Sequence, residues 1–157
     1  PDLRAEGRER GQTYDYALLE RIERGPSDAD EVELASGGRL LDLTCLHRAD
    51  GAPLALERRL IALGAAPQAV DVDFQTVPPG SWLLDSAPWT EAENRISAVG
   101  ATRKEATLLG IAPGAPCLCV ERHTWRGGDP ITYVRQVFLA DAYDMVARFG
   151  PAGGNGS

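Results

Sequence analysis

The stretch that decides the fold is "APCLCVERHTWRGGDPITYVRQVFLA", residues 115–140. Apolar and polar side chains alternate on both sides of Gly127-Gly128, as in two half-buried strands joined by a tight turn. A two-residue turn at those glycines sets the register of the pair. Arg126 then opposes Asp129, Arg122 opposes Tyr133 and Val120 opposes Arg135. This pairing predicts one face carrying Arg122, Thr124, Tyr133 and Arg135. Cys117, Cys119, Glu121, His123 and Trp125 take the other.

The preceding segments fit around this hairpin. "RLLDLTCLHRADGAPLALERRLI", residues 39–61, reads as a second hairpin centred on Asp50-Gly51. "QTYDYALLERIE", residues 12–23, alternates well enough for a first strand, with a helix as the alternative. "SDADEVELASG", residues 27–37, has an N-cap candidate in Ser27 or Asp28, early acids and a closing glycine, which mark a short helix. "PQAVDVDF", residues 67–74, is a short helix or irregular segment, and a proline-rich loop follows from Pro78. A strand over about residues 93–99 and a helix "TRKEATLLGI", N-capped by Thr102 with Glu105, complete the set. Residues 1–11 read as a linker and 150–157 as a flexible tail, leaving a body over 12–149. Hairpins with helices inserted between them define an α+β class, with a mainly antiparallel sheet and flanking helices.

The 157-residue length is that of one domain able to bury a core. No apolar run reaches the roughly 20 residues of a membrane helix, so no membrane partner is expected. The net charge is −7, and residues 1–50 hold 12 acids against 7 arginines. That balance repels a phosphate backbone, so direct nucleic-acid binding by this piece is disfavoured. The three cysteines, Cys45, Cys117 and Cys119, form no disulfide framework and point to a reducing cytoplasm. A metal-binding role for Cys117-x-Cys119 lacks further ligands at a suitable spacing, so buried apolar thiols are expected, with no metal and no cofactor. The chain opens on Pro1, which reads as a processed or truncated fragment.

No nucleophile elbow, P-loop, HExxH or dinucleotide fingerprint is present. Glu91 and Glu93 lie two apart at a loop-to-strand transition, where their side chains are expected to diverge and so not to act as an acid/base pair. Glu91 is assigned to solvent and Glu93 to a pocket or to solvent on equal terms. His47 and His123 read as surface or hydrogen-bonded structural residues. Of the adjacent Arg58 and Arg59, one faces inward or lies on a sheet edge. The arginine face is either a solvated outer surface or a site for a small anion. In the second case guanidinium forks grip a carboxylate or phosphate and Thr and Tyr hydroxyls complete the bonding. Trp82 and Trp89 offer a stacking wall or plain packing.

The segments "HRADGAPLALERRLI", "PPGSWLLDSAPWTEAENRI", "LLGIAPGAPCLCVERHTW" and "DPITYVRQVFLADAYDMVARF" run in an order and spacing that resembles one known domain. It is the effector-sensing UTRA domain of the HutC branch of GntR-type bacterial regulators, and the likeness spans about residues 12–149. The resemblance implies a chorismate-lyase-like fold without catalysis, a small-molecule effector, a homodimer, and DNA contact only through an N-terminal winged helix-turn-helix absent from this chain. The branch implies sensing of urocanate, which releases the repressor from operators of histidine-degradation genes. Carried over by motif, the ligand-binding residues are Glu57, Arg59, Ser81, Trp82, Glu93, Arg122, Thr124 and Arg135, with Tyr133 added from the predicted face. Ala62, Asn94 and Tyr133 depart from the branch pattern, Asn94 and Tyr133 standing where histidine is usual. A related small carboxylic acid is therefore kept beside urocanate. A small lyase or hydrolase on the same fold, and a dimerisation module with a vestigial pocket, are the alternatives.

Overall fold

The structure, a computed structural model, describes residues 11–142, 144–148 and 150–151. The linker assigned to 1–11 and the tail assigned to 150–157 lie largely outside the described residues. Six strands form one antiparallel sheet: β1 (Tyr14–Arg24), β2 (Leu40–Ala49), β3 (Ala52–Ala62), β4 (Glu91–Gly100), β5 (Pro116–Arg126) and β6 (Asp129–Leu139). Their spatial order is β1-β2-β3-β6-β5-β4. The β2-β3 and β5-β6 hairpins sit side by side, joined through β3 and β6. Both turns need left-handed backbone at two successive residues: Asp50 and Gly51 at φ 51° and 77°, Gly127 and Gly128 at φ 56° and 87°. Those sequences supply it cheaply, which is why each hairpin closes where it does.

Three helices, α1 (Ala29–Ala35), α2 (Pro79–Ser86) and α3 (Arg103–Leu109), and a 3-10 turn (Pro67–Asp71) pack on the sheet. Asp28 caps α1 by accepting from the Glu31 N–H, and Thr102 with Glu105 forms a full capping box on α3. The front face carries Leu41 and Leu43 of β2, Ile61 of β3 and Ile131 of β6; it is covered by the 3-10 turn, Phe74 and Leu83 of α2. On the back face, Leu34 and Ala35 of α1 bury against Leu40, Leu60 and Ala62. Also behind the sheet, Ala106 and Leu109 of α3 bury against Leu46, Leu56, Cys117, Cys119 and Val137. The three thiols are buried, as the sequence pattern suggested.

Two sequence expectations are corrected here. The proline-rich loop is helix α2 from Pro79 onward, because proline at the first helical position gives up no hydrogen bond and its fixed φ suits the start of a helix. The register of the last hairpin also differs. Arg126 does oppose Asp129, but the pairing shifts between Trp125 and Thr124, so that Trp125 faces Pro130 and Thr124 faces Thr132. Ile131 is the extra residue, and the shift sits beside Pro130, which has no N–H to give the ladder. Everything beyond this bulge moves by one: Arg122 opposes Val134, not Tyr133, and Arg135 opposes Glu121. Tyr133 and Arg135 therefore turn to the back face while Arg122 and Thr124 stay on the front.

Behind the sheet, Glu31 accepts from Arg24 at 2.6 and 3.1 Å and from the Ser27 backbone and hydroxyl at 3.0 Å. The Arg24 hydrogen bond, opposed by burial and aided by Ser27, holds its carboxyl at about 2, against 4.5 for a free glutamate. A lowered folded-state value stabilises the fold above the unfolded value and loses that contribution on acidification. We expect stability, followed by urea denaturation across acid pH, to drop between pH 4.5 and 2, and Glu31→Gln to flatten that slope.

A candidate effector cavity between the sheet and helix α2

Beneath α2 the front face opens into a cavity of about 200 Å³. Its polar wall comes from three strands: His47 of β2, Glu57 and Arg59 of β3, and Thr132 and Gln136 of β6. Arg122 and Thr124 of β5 continue it, and Ser81, Leu83 and Trp89 close it from above. The alternation of each strand explains the selection. Glu57, Arg59 and Ile61 are one face of β3, while Arg58 turns behind the sheet to Asp42 at 3.0 Å. Of the adjacent arginines, Arg59 is thus the inward one.

Glu57 anchors the floor. It is 2% exposed, and its carboxylate accepts from Gln136 at 2.9 Å and from Arg59 Nε at 3.1 Å, with His47 Nε2 at 3.1 Å. Burial opposes its ionisation. The charge of Arg59 and the bonds from His47 and Arg59 outweigh that and hold it well below the usual carboxylate range. His47 in turn meets the Tyr14 hydroxyl at 2.5 Å through Nδ1, so both ring nitrogens are engaged. Glu57 thus takes two bonds on Oε1 and one on Oε2, and it holds Arg59 in place.

Arg122 is different. Its Nε donates to Asn94 Oδ1 at 2.9 Å and its guanidinium lies 5.6 Å from the Trp89 ring centroid. No carboxylate pairs with it among the described residues. Burial, then the positive charge of Arg59, push its pKa below the usual arginine value. The cavity thus holds two guanidiniums against one carboxylate that is already occupied. Arg59 Nη2 also lies 3.3 Å from where a Cβ on Gly80 would stand, so glycine keeps the start of α2 open to that cation. Beside them the Thr124 and Thr132 hydroxyls bond to each other at 2.6 Å and leave further donor and acceptor capacity.

Of the sequence candidates, Glu57, Arg59, Ser81, Arg122 and Thr124 meet at this cavity. Trp82 does not. On a helix it turns away from Ser81 and packs edge-to-face on Phe74, with ring centroids 5.8 Å apart, leaving Trp89 as the tryptophan of the wall, with Tyr14 also lining it. Tyr133, Glu93 and Arg135 lie behind the sheet. Tyr133 and Glu93 border a groove of about 530 Å³ lined also by His123, Trp125 and Glu121, while Arg135 pairs with Glu105 at 3.4 Å. Glu91 and Glu93 both belong to β4, opposite Trp125 and His123, so their side chains share a face and the expected divergence is wrong; neither reaches the cavity. His47, Gln136 and Thr132 are cavity residues the sequence reading missed. His47 falls in phase with the buried Leu41, Leu43 and Cys45, a signal that was available. Of the three departures from the branch pattern, Asn94 touches a cavity residue, whereas Ala62 is packed under α1 and Tyr133 is behind the sheet.

The two guanidiniums and the paired threonine hydroxyls are groups that can bind a small anion. The Ser81 hydroxyl has no acid or imidazole partner among the described residues, and Cys45 is a buried thiol pushed up to about 12 by burial and then by Glu57. No cluster of metal-ligating side chains occurs among the described residues, and no helix there is long and apolar enough to cross a membrane.

A six-stranded antiparallel sheet with three helices is the fold of GntR-family effector domains. The chain belongs to the UTRA domain family, whose model matches residues 9–144. It is 31% identical to the histidine utilization repressor of Pseudomonas putida over 142 residues, covering 89% of this chain and 57% of the relative. The histidine utilization repressor of Klebsiella aerogenes is 29% identical over 133 residues, covering 85% and 55%. The chain spans little more than half the length of these curated relatives. Among solved structures, the C-terminal domain of the histidine utilization repressor from Pseudomonas syringae pv. tomato matches with a TM-score of 0.80 at 26% identity, covering 88% of this chain and 99% of that one. The effector domain of PhnF from Mycobacterium smegmatis shares the fold, with a TM-score of 0.83 at 16% identity over 95% and 94% of the two chains.

Proposed function

We propose that this chain is the effector-sensing domain of a homodimeric, cytoplasmic bacterial repressor of histidine degradation, and that its effector is urocanate or a related small carboxylic acid. One observation carries the ligand class: Arg122 stands in the cavity as a half-buried cation, next to Arg59, and pairs with no carboxylate among the described residues. A ligand carboxylate supplies the missing charge through bidentate guanidinium bonds. A flat ring then lies against Trp89 and Leu83, and a ring N–H finds the Thr124-Thr132 hydroxyls, which keep acceptor capacity beyond their mutual bond. The relatives' names supply the pathway. Binding weakens operator contact only if the ligand favours one of two states of the whole repressor.

Calorimetric titration with urocanate tests the reading. Saturable binding is expected, with a thermal shift that follows the ratio of ligand to Kd. Absence of heat and of thermal shift with urocanate and with every other carboxylic acid of histidine breakdown would overturn the effector assignment.

A further inference from the structure

Strand β4 ends the sheet with only β5 beside it. It runs for ten residues without proline, and its pairing with β5 has no bulge. Ile96 is 52% exposed on it. Folded proteins usually blunt such an edge, because unpaired N–H and C=O groups recruit another strand.

The orientation of those groups follows from the ladder. The Ala101 N–H donates to the Ala115 carbonyl, and the same register continues to Glu91 opposite Trp125. Odd-numbered residues of β4 therefore turn their backbone toward β5, and Ala92, Asn94, Ile96 and Ala98 turn theirs to the open side. Glu93 and Arg95 flank Asn94 on the back face, and neither makes an ion pair among the described residues.

We propose that this edge is the contact between two copies of the chain, with β4 paired antiparallel to β4 of the second copy about a two-fold axis at Asn94. The inference rests on the homodimer reading above and names its surface. In this register Asn94 of the two copies form a hydrogen-bonded backbone pair. Glu93 of each copy faces Arg95 of the other at the closely spaced, non-hydrogen-bonded positions, giving two opposite-charge pairs. Ala92 meets Ile96 on the front face and covers that exposed side chain. Moving the axis to Arg95 or to Glu93 sets like charges against each other, and an axis at Ile96 sets Arg95 against Ser97, so the Asn94 register is the one that gives two opposite-charge pairs without a like-charge contact. The charge pattern complements itself, so a second copy, rather than an unrelated strand, is the fitting partner. Asn94 also holds Arg122 of the cavity at 2.9 Å, which places the two-fold one side chain away from the ligand's expected anchor.

Sedimentation across a concentration series, with circular dichroism to confirm folding, tests the proposal on the 157-residue chain. The wild type is expected to dimerise, and Glu93→Arg and Arg95→Glu each to weaken self-association at least about tenfold. Mixing the two single variants should restore a dimer, because one copy then carries two arginines and the other two glutamates. A wild type that stays monomeric overturns the homodimer reading together with this surface. A wild-type dimer that neither variant weakens, or variants that fail to complement on mixing, overturns the β4 register and leaves the homodimer reading standing.

Discussion

Glu57→Gln is expected to destabilise the domain by about 3–5 kcal/mol, the typical cost of removing one member of a buried charge pair. The carboxylate is 2% exposed and accepts from Arg59 and Gln136 while meeting His47. Glutamine has similar shape but no charge, and its amide presents donors where two neighbours already donate. Arg59, with its side chain 12% exposed, is left buried without a counter-charge. For a chain of this size the melting temperature should fall by roughly 6–20 °C. Urea denaturation read by tryptophan fluorescence measures the free energy directly. A loss below about 1 kcal/mol would show that Arg59 finds another partner and that the floor is not held by this network.

Arg122→Ala is expected to leave stability within about 1 kcal/mol of wild type, because it breaks no carboxylate pair and removes a like charge from beside Arg59. Affinity for urocanate should fall far more, by about 2–5 kcal/mol, the usual effect of truncating one partner of a buried charged hydrogen bond. That corresponds to roughly 30-fold to several-thousand-fold in Kd. Arg122→Lys should lie between, since an ammonium keeps the charge and loses the planar fork. Parallel titrations of the three proteins check this. An Arg122→Ala protein that binds as tightly as wild type removes the carboxylate anchor from the account.

Much of the fold was legible because its signals are local. Two turn sequences that favour left-handed backbone, Asp50-Gly51 and Gly127-Gly128, mark the hairpins, and Thr102 with Glu105 marks the start of α3. Periodicity placed Arg122 with Thr124 and separated Arg58 from Arg59. The site was only half legible for two physical reasons. A one-residue bulge beside Pro130 reverses the facing of Tyr133 and Arg135, and turn sequence alone does not announce it. The prolines before Ser81 read as a loop, whereas Pro79 starts a helix, and on a helix Ser81 and Trp82 point in different directions. The facing of Glu91 and Glu93 was legible in the period of two and was misjudged. Gln136 enters the cavity through a bond to Glu57, 79 residues away in the chain, which no local pattern reports, whereas His47 lies in phase with Leu41, Leu43 and Cys45 of its own strand and was overlooked.

The effector is expected to bind in front of the sheet, between Arg59, Arg122 and helix α2, and not in the larger groove behind it. Amide chemical-shift mapping of the isotopically labelled chain during a urocanate titration tests it most directly. Saturable shifts are expected to cluster at Arg59, Gly80, Ser81, Arg122 and Gln136, which line the front cavity alone, with little change around α1. Shifts centred instead on Asp30, Glu33, Glu93 and Arg95, which border the groove behind the sheet, would contradict it.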